Sequence, residues 1–190
     1  MGLVEVERLA REYDFDVQLE PFLLRPETPP EGMPARRVTP PEAPPTPMEL
    51  RGQNLGITFN RGRALTSNSH LALEAAEFAG ERGDPWPFHR RMFKSYFEDL
   101  EDIGQIETVV RAGVEAGLPE DELRLALTQG TYRERVDEGI HWSRSIGVTA
   151  IPTFVFNQRF GMVGAQEIAA FRAMMDKLGI KPKDQDGPQA

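Results

Sequence analysis

The stretch Gly147-Val-Thr-Ala-Ile-Pro-Thr-Phe-Val-Phe-Asn157 decides the fold prediction for this chain. Glycine commonly ends a helix, and the short apolar run Thr153–Phe156 is typical of a buried strand. Pro152 stands directly before that run, one of the few positions in a sheet where a residue without an N–H is tolerated. The Ile151-Pro152 bond is also a favourable place for a cis peptide, which costs only about 0.5–1 kcal/mol before proline. The residues alone leave two interpretations open: Pro152 only begins a strand, or it forms a cis-proline loop with a role in binding.

The elements around this stretch follow the order helix, strand, long loop, helices, strand, strand, helix. Apolar periodicity predicts a first helix around residues 3–10 and alternation predicts a strand over residues 15–24, with Pro21 placing that strand at an edge or a bulge. Residues 26–47 are rich in proline and are predicted to form a long surface loop. Further helices are predicted at residues 67–80, 84–97, 105–116, 119–127 and 132–146. After the strand at 153–156, Asn157-Gln158 is a turn candidate, residues 159–163 form the return strand, and a last helix follows Gly164-Ala165-Gln166.

Composition excludes several classes of function. A net charge of −8 over 190 residues, without a basic stripe, argues against nucleic acid or an anionic membrane as a partner. No apolar run approaches the roughly 20 residues of a membrane span. The first residues lack the basic start and apolar core of a signal peptide, so we expect a cytoplasmic location.

The chain contains no cysteine, which excludes a disulfide, a zinc–thiolate site and a thiol nucleophile within these 190 residues. The histidines His70, His89 and His141 lie on separate predicted helices, so no two of them have the i, i+4 spacing of a metal-binding pair. We therefore predict no metal site and no cofactor.

Several stretches together resemble one family over nearly the whole chain. They are the stretch from Arg8-Leu9-Ala10 to Phe22-Leu23-Leu24-Arg25-Pro26, then Pro29 to Gly32, Asn68 to Ala79, His89 to Phe93, Tyr96-Phe97 and Gly147 to Gln166. The chain resembles the FrnE-like branch of the DsbA superfamily, thiol–disulfide oxidoreductases of the thioredoxin fold. The resemblance implies an α/β, thioredoxin-like fold with an all-helical insertion domain. The thioredoxin-like core would comprise residues 1–47 and 147–180. The helical insertion would comprise residues 48–146, and residues 181–190 would form a polar tail.

The chain departs from this family at its beginning. In members of that family, a first strand leads into a Cys-Pro-x-Cys motif. The second cysteine of the motif stands shortly before a helix whose first residues resemble Gly2-Leu3. We therefore expect a chain truncated at its N-terminus, without the first strand and inactive in thiol chemistry. The absent strand would be central, between residues 17–24 and 153–156, so its loss would leave both without ladder partners. The free energy of unfolding of a whole domain is only about 5–15 kcal/mol. A chain without this strand should therefore be only marginally stable, unless a partner chain supplies the strand.

What the resemblance implies for the site is a cis-proline loop that binds substrate. The Ile151 backbone would pair with an extended peptide or with glutathione, and Pro152 would pack against the reacting sulfur. The expected partner is a protein or peptide thiol or disulfide. Two roles are open for Asn68. It caps the helix that follows it, or it contacts a ligand, since related isomerases use a polar residue near this position for that purpose.

Two other functions remain open at this point. One is a glutathione-dependent enzyme like 2-hydroxychromene-2-carboxylate isomerase, which has a related fold and needs no cysteine pair. The other is a non-catalytic peptide-binding or chaperone-like module that uses the cis-proline groove without thiols.

Overall fold

The computed structural model describes residues 1–35 and 39–183, which form eight helices and four short strands. In chain order these elements are α1 Gly2–Glu12, β1 Met33–Pro34, α2 Pro47–Asn54, β2 Leu65–Thr66, α3 His70–Glu81, α4 Trp86–Phe97, α5 Ile106–Glu115, α6 Glu120–Gln129, α7 Arg133–Ser145, β3 Thr153–Phe156, β4 Phe160–Val163 and α8 Ile168–Lys177. The chain divides into two compact units, one formed by Met1–Leu19 with the chain from Gly147 on, the other by Glu20–Ile146. We call them the hairpin unit and the helical unit.

The hairpin unit packs α1 and α8 with the antiparallel pair β3–β4. Its buried large apolar residues are Val6, Leu9, Tyr13, Phe171 and Met175. The ring of Phe171 meets Phe154 edge-on at 4.8 Å and Phe156 at 6.4 Å between centroids. Alternation along β3 therefore turns both phenylalanines toward α8.

The hairpin was predicted from the sequence and is confirmed. Thr153 pairs with Val163 and Phe156 with Phe160. The chain reverses through Asn157 and Gln158, whose φ angles are +48° and +54°, a region that asparagine tolerates better than most residues.

The helical unit has its core between α3, α4, α5 and α6. Its buried apolar residues include Ala75, Phe78, Ala79, Phe88, Val109, Val110, Ala112, Leu123 and Leu127. Periodicity predicted all five helices from α3 to α7, and the structure confirms them with ends shifted by a few residues. None of the helices in the described ranges is long and apolar enough to cross a membrane.

Residues from Glu20 on group with the helices because they pack on α7. The Ser143 hydroxyl donates to the Pro21 carbonyl at 3.2 Å, and a Cβ placed on Gly139 would lie 2.5 Å from Pro21 Cγ. The compact units therefore divide at residue 20, and the domain boundary at residue 48 remains a prediction from the resemblance. Residues 36–38 of the proline-rich loop and 184–190 of the tail lie outside the described residues.

The predicted strand over residues 15–24 is wrong, because the structure has neither strand nor helix there. Alternation makes a strand possible, but a strand exists only with a ladder partner, and none lies beside this segment within residues 1–35 and 39–183. The structure also adds α2 and the two-residue pair β1–β2.

Candidate functional site

The loop of residues 147–152, here called the Pro152 loop, leads into β3. Its Ile151–Pro152 peptide bond is cis. The Pro152 carbonyl accepts a hydrogen bond from Gly164 N–H at 2.8 Å, and the Thr153 hydroxyl donates to the Ala150 carbonyl at 2.7 Å. Hydrogen bonds on both sides of Pro152 thus hold the loop to the hairpin.

The amino end of α1 lies against Pro152. A Cβ placed on Gly2 would come within 3.1 Å of Pro152 Cγ and 3.0 Å of Phe154 Cζ, closer than ordinary packing allows. Gly2 therefore lets the first turn of α1 approach both rings, and Phe154 is in turn held by Phe171. The close approach joins residues that are 150 positions apart in the sequence.

The first turn of α1 favours negative charge. Met1 is the N-cap residue and makes no capping hydrogen bond through its side chain. The first N–H groups of a helix have no acceptor within it, and the aligned peptide dipoles add a positive partial charge at this end. A thiolate in this position would be stabilised, which lowers the pKa of a thiol from about 8.5. Glu5 lies buried in the same turn and accepts from Arg8 Nη1 at 3.1 Å.

Three large apolar side chains of the loop and the hairpin are exposed. Ile151, Val155 and Val163 are 49%, 45% and 55% exposed.

The strand register determines which backbone groups of β3 face β4. Gly164 N–H donates to the Pro152 carbonyl, so the N–H and C=O groups of Phe154 and Phe156 point toward β4. Those of Thr153 and Val155 point away from β4. In the described chain β3 pairs only with β4, so its other edge is open. An open strand edge can bind an extended peptide through its backbone.

The remaining candidates lie apart from this loop in the sequence and have local roles. Asn68, which precedes the N-cap residue Ser69, accepts from the His70 N–H at 2.9 Å and donates to the Thr28 carbonyl at 2.7 Å. It therefore satisfies the first N–H of α3 and holds the preceding loop. His89 is half-buried beside the ring of Phe88, and burial lowers its pKa. His141 is exposed on α7.

The substrate-binding role of Ile151 and Pro152 stays a prediction from the sequence, and two further features of the structure were not predicted. The open edge at Thr153 and Val155 depends on the hydrogen-bond register, which the strand pattern alone does not determine. The second is a cluster around His70, whose ring contacts Glu74 and Asp137. The i, i+4 spacing of His70 and Glu74 was a usable signal, whereas the contact with Asp137 spans 67 residues.

The fold and this site define a class of protein. Residues 1–176 match the DSBA-like thioredoxin domain, and the chain belongs to this family. The resemblance to the DsbA superfamily and the fold class predicted from the sequence are confirmed, and the FrnE-like branch remains a prediction.

Two other proteins are similar to this chain. The uncharacterized protein YwbO of Bacillus subtilis is 26% identical over 157 residues, which cover 82% of this chain and 78% of YwbO. The crystal structure of a probable DsbA oxidoreductase from Streptomyces coelicolor superimposes with a TM-score of 0.78 at 18% identity, covering 100% of this chain and 86% of that one. At that identity, the second likeness shows a shared fold.

Proposed function

We propose that this chain provides the substrate-binding part of a DsbA-type thiol–disulfide oxidoreductase acting on protein or peptide thiols. The observation that carries the proposal is the contact of Gly2 with Pro152, because it sets the positive end of α1 beside the Pro152 loop. Membership of the DSBA-like family supports the same reaction class.

In this proposal the Ile151 backbone pairs with an extended substrate and Pro152 contacts its sulfur. A thiolate at the amino end of α1 attacks one sulfur of the substrate disulfide, forms a mixed disulfide and expels the other sulfur as a thiolate. A second thiol then displaces the substrate and leaves the enzyme cysteines joined. Since none of the 190 residues is cysteine, both thiols come from residues outside this sequence.

A cysteine placed at the end of α1 tests the electrostatic part of the proposal. In Met1→Cys, made with an added initiator methionine, the thiol sits at the N-cap of α1. The matched control is Ser145→Cys, at the exposed last residue of α7, where the helix dipole has the opposite sign. The rate of alkylation by iodoacetamide, measured against pH, gives the pKa of each thiol.

We expect the pKa of the Met1→Cys thiol to fall clearly below about 8.5, and that of the control thiol to stay at or above this value. Equal pKa values would show that the end of α1 does not stabilise a thiolate, and would overturn this part of the proposal. Intact mass and thiol titration of the protein isolated from its source test the other part. Two thiols and a mass above that of the 190 residues are expected, and a thiol-free protein of matching mass would exclude thiol catalysis.

The absence of cysteine and the exposed apolar side chains around Pro152 favour a second candidate, a peptide-binding module without thiol chemistry. Its test is the binding of a fluorescent, unfolded, cysteine-free peptide to the 190-residue chain. Pro152→Ala should weaken binding at least fivefold, while Leu125→Ala, which truncates an exposed leucine on α6, should not. Equal binding by all three proteins would exclude this candidate. Competition by reduced glutathione would instead favour the glutathione-dependent enzyme.

A further inference from the structure

We propose that His70 is a pH-operated latch between α3 and α7: as an imidazolium it binds Glu74 and Asp137 together, and losing its proton releases Asp137. The latch lies wholly within the helical unit and does not depend on the proposed thiol chemistry. None of its members belongs to the site at Pro152.

Both ring nitrogens of His70 have a carboxylate partner. Nδ1 lies 3.0 Å from Glu74 Oε1, one turn further along α3, and Nε2 lies 3.0 Å from Asp137 Oδ1 on α7. An ionised carboxylate only accepts hydrogen bonds, so both nitrogens must donate to satisfy this geometry. The ring that joins the two helices is therefore the doubly protonated, positively charged form.

The two carboxylates differ in burial, and this difference decides which contact breaks. The side chain of Glu74 is 2% exposed and that of Asp137 is 63% exposed. Glu74 Oε2 already has no hydrogen-bond partner in the described structure. A neutral imidazole keeps one N–H donor, and leaving the buried carboxylate without it costs more than returning the exposed one to water. We therefore infer that Glu74 retains the donor and that Asp137 separates.

The other charged groups around the ring do not replace this contact. Arg133 of α7 approaches Glu74 Oε1 only to 3.8 Å, and its side chain is 67% exposed. Arg135 of α7 pairs with Glu77 at 2.7 Å and with Glu81 at 3.1 Å, both on α3. Those two ion pairs also join α3 to α7, and neither involves the His70 ring.

The direction of the pH effect follows from linkage. Hydrogen bonding to Glu74 raises the pKa of His70, burial opposes the rise, and Asp137 adds to it. A pKa raised above its unfolded value of about 6.5 gives stabilisation that is complete below that pH and is lost as pH rises through the folded-state pKa. The latch is thus closed in mild acid and opens toward alkaline pH.

Hydrogen exchange and histidine NMR on the full 190-residue chain test the latch. After correction for intrinsic exchange, α7 amides should lose at least about threefold in protection between pH 6 and pH 9, while α5 amides, outside the latch, should not. His70→Gln and Asp137→Asn should each lower α7 protection at pH 6 and remove its pH dependence. His141→Gln, which alters an exposed histidine of the same helix, is the matched control and should behave like wild type.

The NMR titration of His70 in the wild-type protein needs no variant and keeps the proposal testable if one fails to fold. A midpoint above about 6.5 is expected. An ordinary midpoint, constant α7 protection across this pH range, or an unchanged pH dependence in His70→Gln would each overturn the latch.

Discussion

Gly113 on α5 shows how a single hydrogen in place of a methyl group sets the packing of two helices. A Cβ at this position would lie directly against Cδ2 of Leu123, which is fully buried on α6. Alanine normally favours a helix over glycine by about 0.8–1 kcal/mol, but overpacking a core costs about 1–3 kcal/mol. We expect Gly113→Ala to lower the free energy of unfolding, as measured by urea denaturation.

The control for this prediction is Gly80 on α3, where an added Cβ would meet no atom within 4 Å. Gly80→Ala should raise stability by about 0.5–1 kcal/mol, because only the backbone preference changes. If both substitutions stabilise the protein, the close contact of α5 with α6 at Gly113 is contradicted.

At the scale of residues, the sequence predicts roles that depend on neighbours along the chain better than those that depend on distant partners. A loop at Ile151 and Pro152 could be predicted because the flanking pattern from Gly147 to Asn157 is contiguous, and its role in binding substrate stays a prediction. The contact of Gly2 with Pro152 could be expected only through the family resemblance. The bond between His70 and Asp137 has no signal in the sequence, because it depends on how α3 and α7 pack.

At the scale of elements, β3 has two chemically different edges. The register turns the amides of Phe154 and Phe156 toward β4 and those of Thr153 and Val155 away from it. Because exchange requires a free amide, Phe154 and Phe156 should exchange more slowly than Thr153 and Val155 in the 190-residue chain. Residue-resolved hydrogen exchange by NMR measures this difference.

The same measurement with a bound extended peptide gives the second part of the prediction. A peptide that pairs along the open edge of β3 should slow the exchange of Thr153 and Val155 and leave Phe154 and Phe156 nearly unchanged. Slow exchange at all four amides without any peptide would mean that another segment already occupies the edge. That result would contradict the two-stranded sheet described above.

The elements that sequence reasoning missed are those that depend on capping or on a distant partner. Helix α2 carries a readable signal, since Thr46 and Glu49 form a capping box with Pro47 at the first position. The loop before it carries none: Arg61 donates to the carbonyls of Pro40, Ala43 and Pro44 and pairs with Glu49 at 2.7 Å. A segment that looks unstructured in composition is thus held by one arginine that follows it in the chain. The false strand at residues 15–24 is the converse case, a correct local pattern without a partner.

At the scale of the whole molecule, the two compact units have cores of different size. In the part of the chain that the structure describes, the hairpin unit buries five large apolar side chains, and the helical unit buries a larger set across α3 to α7. Since stability follows buried apolar area, we expect the hairpin unit to open at lower free energy than the helical unit.

Matched leucine truncations test this expectation. Leu9 on α1 is 1% exposed and Leu123 on α6 is fully buried, so Leu→Ala removes the same atoms from each core at a cost of about 2–5 kcal/mol. If the hairpin unit opens separately, Leu9→Ala should reduce native-state amide protection in α1, α8 and β3 while leaving that of α5 unchanged. Leu123→Ala should reduce protection in α5 and α6, and with them in every element that opens only on global unfolding. An equal loss of protection in both units from Leu9→Ala would show one cooperative core. The division at residue 20 would then describe compactness alone, without a corresponding division in stability.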